Sequence, residues 1–149
     1  MAANDIIRKF GTPKTLEASG GSITNNSIVQ ANDAAYSCAS DGADYPDGLF
    51  VLAAAYASGP TEGTTLALIA RLLNIDSTND AEAPEASRQD RFIGNFTVNN
   101  VTSTQYMELV AYNLPREADY YIANNGTGQT VSSGWSLKVT PMTRAPAAS

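Results

Sequence analysis

The chain has 149 residues, 43% of them hydrophobic and 16% charged, with a net charge of −6 and one cysteine. That length suits one domain, and the composition gives a core while excluding a disordered polymer. Beyond Lys14 six bases face fourteen acids; a body of that sign repels a phosphate backbone, so no nucleic-acid partner is expected.

Cys38 alone cannot form an intrachain disulfide, which sets aside the Cys-rich scaffolds. The start "MAANDIIRKFGTPK" lacks the apolar run of a signal peptide. No stretch approaches a membrane-spanning segment. The expectation is a chain made in the cytoplasm without a membrane partner.

Residues 1–14 read as an arm. Ile6, Ile7 and Phe10 lie beside Arg8 and Lys9, and Gly11 with Pro13 breaks any helix. From Thr15 the pattern becomes short and extended, with turn signals at Gly20-Gly21 and Asn25-Asn26. "AAYSCAS" leads into the turn-rich "DGADYPDG". "LFVLAAAYA" (49–57), bounded by Gly48 and Gly59-Pro60, reads as a buried strand.

"TTLALIARLLNI" (64–75) fits two periods. As a helix it gathers Leu66, Ile69, Ala70 and Leu73 on one face; as a strand it is apolar on both faces. Leu and Ala favour helix, but its extended neighbours favour strand, which is the assignment made. A long acidic, proline-containing excursion follows, with Asp76, Asp80, Glu82, Glu85 and Asp90; such a length is unusual in a small domain.

"RFIGNFTVNNV", "TQYMELVAYNL" and "GWSLKVTP" then alternate with period two, and Asn125-Gly126 marks a turn. Phe96, Leu109, Ile122, Trp135 and Leu137 are the expected core. About eight short strands in one domain predict an all-β fold, an antiparallel β-sandwich of jelly-roll type with an extended N-terminal arm. The divisions are arm 1–14, sandwich 15–141 and tail 142–149.

Chemistry-bearing patterns are scarce. Histidine is absent, and with it the commonest general base and metal ligand. No cysteine pair, P-loop or nucleophile elbow is present. Asp41, Asp44 and Asp47 are spaced unlike a calcium loop and read as solvated turn acids. No catalytic, cofactor-binding or metal-binding residue is assigned, and an enzyme is the least favoured class.

The segment 91–141 carries a Gly-x-Phe strand (Gly94, Phe96), Thr104-Gln105 opening the next strand and Leu114-Pro115 closing it. "YYIANNGTGQT" follows, then a final Gly-x-x-Leu-Lys strand (Gly134, Leu137, Lys138). In these features, over about the last two-thirds of the chain, it resembles the cement, or decoration, proteins of tailed-bacteriophage capsids. They are turn and strand patterns, not catalytic signatures.

The resemblance implies a jelly-roll-like sandwich on the outer capsid surface of the virion. There it clamps neighbouring subunits of the major capsid protein and associates with itself as a dimer or trimer on the capsid. The candidate contacts are Ile6, Ile7, Arg8, Lys9 and Phe10 in the arm, with Arg88 and Arg91 in the acidic excursion, the two arginines pairing with capsid acids. A tail or baseplate structural protein and a carbohydrate-binding host-adhesion module are the rival readings; the latter needs exposed coplanar Tyr or Trp.

Overall fold

A computed structural model describes residues 6–89 and 91–146. Residues 1–5 of the arm, Asp90 of the excursion and 147–149 of the tail lie outside the described residues. The described chain holds ten strands and no helix. They are β1 (Ile6–Phe10), β2 (Lys14–Gly20), β3 (Ser27–Gln30), β4 (Tyr36–Ser37), β5 (Asp47–Ala54), β6 (Thr65–Leu72), β7 (Phe92–Thr97), β8 (Gln105–Ala111), β9 (Glu117–Asn124) and β10 (Trp135–Pro146).

Two antiparallel sheets result. In the first, β1 and β2 lie on one side of β10, followed by β5 and β8. In the second, β3 and β4 lie on one side of β9, followed by β6 and β7. From β2 onward each connection changes sheet, with two exceptions: β3 to β4, which share one edge, and the β6–β7 hairpin. That is the connectivity of a jelly roll, as the spacing of strand signals predicts.

The core fills the space between the sheets. Phe96, Ile122, Trp135 and Leu137 are buried there, and Leu109 is partly buried where β8 approaches β7. Gly94 lets those two edges close: a Cβ on it would sit 2.7 Å from the Leu109 side chain. Gly20 gives way in the same sense to Trp135, whose indole Nε1 donates to the Gly21 carbonyl at 2.6 Å.

Residues 65–72 are a strand, as assigned, and their two apolar faces have separate uses. Leu66, Leu68 and Ala70 face the main core. Ala67 and Ile69 join Tyr121, Ala123 and Ile28 in a second apolar cluster on the outside of the second sheet.

The two chain ends meet. β1 pairs residue for residue with the end of β10, from Ile6 opposite Pro146 to Phe10 opposite Met142. The strand therefore runs past the expected boundary at Pro141 into the tail, and Met142 is buried. β5 pairs with β10 only as far as Met142, so the last residues of β10 and all of β1 form a two-stranded ribbon. The arm is extended as expected, with strand geometry against the C-terminal residues.

Candidate interaction surface

The ribbon holds all five arm candidates. Alternation puts Ile6, Arg8 and Phe10 on one face with Met142, Arg144 and Pro146, and Ile7 and Lys9 on the other with Thr143 and Ala145. Ile6 and Phe10 are 66% and 54% exposed. Arg8 lies directly opposite Arg144, and like charges so placed repel. Arg144 sits over the Tyr112 ring, 5.5 Å from its centroid, and its Nη2 donates to the Tyr112 hydroxyl at 3.5 Å.

The excursion is the β6–β7 connection, and it turns back on the protein. Asp76 begins it as a local turn, accepting from the amides of Thr78 and Asn79 and from Asn79 Nδ2. Those hydrogen bonds, the Asn79 side chain first, hold its carboxyl below the usual range. The Ala81 amide then donates to the Leu72 carbonyl at 2.8 Å, and Arg71 Nε to the Ala81 carbonyl at 2.8 Å. At the far end Gln89 and Asn125 exchange two side-chain amide hydrogen bonds of 3.0 and 2.9 Å. The loop thus lies along the outer face of the second sheet, over the cluster around Ile69.

Arg88 spends its charge within this loop. It pairs with Glu82 and Glu85 and donates to the Ala83 carbonyl. Arg71 pairs with Asp80 and Asp119. Burial raises the Asp119 carboxyl above its usual range, with Arg71 only partly offsetting it. A cavity of about 160 Å³ between loop and sheet is lined by Arg71, Arg88 and Arg91 together with Glu82 and Pro84; the carboxylates already opposite Arg71 and Arg88 make it a poor anion site.

Arg91 stands apart from Arg88. Its Nη2 donates to the Asn113 carbonyl at 3.5 Å, next to the Tyr112 that holds Arg144. Arg91 and the ribbon therefore come to the same end of the sandwich. Arg91 thus lies at the same end of the sandwich as the arm candidates, whereas Arg88 pairs within its own loop. Arg144 and Tyr112, absent from the sequence-based candidates, belong with them; their only local signal is a base in the tail.

The 38–47 turn is likewise satisfied internally. Asp41 accepts from the Ser37 amide at 2.8 Å and pairs with Lys14 at 2.7 Å. Burial pushes its carboxyl up, but the Lys14 and Ser37 hydrogen bonds and the Lys14 charge outweigh this and hold it below the usual range. Asp47 accepts from the Asn113 amide at 3.0 Å. Cys38 donates to the Pro115 carbonyl at 3.3 Å, and burial, then Asp44 and Asp47, raise its thiol pKa, the reverse of what activates a nucleophile. Among the described residues no group of three or more His, Cys, Asp or Glu side chains is placed to hold a metal, and no helix is long and apolar enough to cross a membrane.

No protein-family model, curated protein or solved structure matches the chain.

Proposed function

We propose that this protein is a structural decoration protein, without enzymatic activity, that binds the outer surface of a phage capsid and clamps neighbouring subunits of the major capsid protein. The observation that carries this reading is the ribbon. Ile6 and Phe10 stand exposed beside Arg8 and Arg144 on two paired strands that extend beyond β5. Docked against another protein, the apolar groups leave water and the bases meet acids. Pairing with β10 already orders the strand, which lowers the roughly 1–2 kcal/mol per residue that ordering a free arm costs. The jelly roll is also the architecture that the sequence resemblance implies.

The adhesion-module reading has less support. Trp135 is buried. Tyr106 and Tyr112, exposed by 77% and 50%, are six residues apart along β8 and the turn after it, about 20 Å in extended chain, too far to form one sugar platform.

The test is addition of purified protein to undecorated phage heads, beside a chain lacking residues 1–12. The full chain is expected to bind and to raise the heat resistance of the heads, and the shortened chain to fold but bind weakly. Failure of the full chain to bind overturns the reading. Undiminished binding by the shortened chain removes the ribbon from it.

A further inference from the structure

The outer face of the first sheet carries an apolar strip along β5, where Leu49, Val51 and Ala53 are only partly buried. Register sets Leu49 beside Val110, Val51 between Lys138 and Glu108, and Ala53 beside Tyr106. Leu49, Val51 and Val110 each keep part of their surface in water. Tyr106 bounds this strip at one end; Phe10 and Tyr112, both at least half exposed, bound it at the other. Isolated exposed apolar residues are ordinary, but a contiguous strip rimmed by polar groups marks an interaction site.

Its charge is opposite to that of the rest of the molecule. Arg8, Lys138 and Arg144 lie on this face. Of its acids, Asp47 is buried against the Asn113 amide, which leaves Glu108 exposed. The chain as a whole carries −6. Arg8 and Arg144 also face each other with no carboxylate between them among the ion pairs of the described residues. A partner's acid placed there relieves that repulsion.

We propose that this face docks a protein surface that is apolar at its centre and carboxylate-rich around it. The proposal rests on the decoration reading for the identity of the partner and on the sheet itself for the location and chemistry. A second copy using the same face brings bases against bases, so charge favours an acidic partner. Four strands about 4.8 Å apart and some seven residues long, with the ribbon added, offer roughly 600 Å². A standard interface takes about 800 Å² per partner, so one copy holds weakly. Repeated or linked contacts on an array supply the rest.

The experiment measures sedimentation with undecorated phage heads for the full chain and for Val51→Asp, Lys138→Glu with Arg144→Glu, and Glu62→Lys, a control on an exposed loop. Melting curves confirm that each variant is folded. The two face variants are expected to bind about tenfold more weakly or worse, which corresponds to 1.4 kcal/mol or more, and Glu62→Lys to bind as the parent does. If the parent binds heads and the face variants bind equally well, the face proposal is overturned while the decoration reading stands.

If the parent does not bind heads, the decoration reading falls, and amide-shift titration with octanoate decides the face. Saturable shifts confined to 49–53 and 106–112, weaker with octyltrimethylammonium, support it; scattered shifts or equal response to the two amphiphiles overturn it. Self-association of the parent that Val51→Asp abolishes also overturns it, by making a second copy the occupant.

Discussion

The outer face of β9 and β6 is dry, whereas that of β10 and β5 is wetted. Ile69 on the first is fully buried and Val51 on the second is not, although both lie on central strands with apolar side chains on both faces. The difference is the 73–91 connection. It returns over Ile69, and Arg71, Ala81 and the Gln89–Asn125 pair fasten it there. Among the described residues no connection of comparable length folds back over the first sheet. A polar, acidic segment thus serves as a roof over the second sheet, and the face where we propose that a partner docks has none among the described residues.

The comparison breaks most visibly at its two central residues. Ile69→Ala is expected to cost about 2–5 kcal/mol, the range for a buried isoleucine, and Val51→Ala less than about 1 kcal/mol in the isolated protein. Denaturant unfolding of the two variants measures both. Equal losses would mean that the faces are equally covered and would remove the contrast.

A smaller effect is expected at the anchor of the roof. Arg71 joins the strand to the loop through the Ala81 carbonyl and Asp80, and it also pairs with Asp119. Arg71→Ala leaves the partly buried Asp119 without its cation, with an expected loss of about 1–3 kcal/mol. Amide exchange between residues 72 and 89 is expected to quicken while that in β10 and β5 does not. Unchanged exchange in the loop would show that its apolar contacts alone hold it.

How much of this was legible in the sequence follows from the same contrast. β7, β8 and β10 announced themselves because their residues alternate between core and less buried surroundings. The 64–75 segment was ambiguous between helix and strand because both its faces are buried, so period two vanishes. "LFVLAAA" has the same doubly apolar look, yet one of its faces is only partly buried; sequence alone does not tell a fully covered face from a partly covered one. The acidic excursion reads in sequence as a contact loop whose Arg88 and Arg91 pair with capsid acids. Its acids sit within a few residues of Arg88 in sequence, but only the fold brings Ala81 to Arg71 and Gln89 to Asn125. The pairing of residues 6–10 with 142–146 has no local signal at all, since it joins opposite ends of the chain.

The smallest expected effect concerns the 38–47 turn, which joins the two sheets. Lys14 at the start of β2 pairs with Asp41 in this turn. The Asp41 carboxyl lies below its ordinary value of 3.8 in the folded chain. A depressed folded value means that the charged form is stabilised by folding. Its contribution is therefore fully present above the unfolded value and is lost as the pH falls through the folded one. With both side chains about a quarter exposed, the pair is worth about 1 kcal/mol or less. Asp41→Asn is expected to lower stability by that amount at pH 7 and to converge with the parent at acid pH, once the parent's depressed carboxyl is protonated too. Unfolding free energies at the two pH values measure this. A constant difference across the range would assign the loss to the Ser37 hydrogen bond and not to the charge.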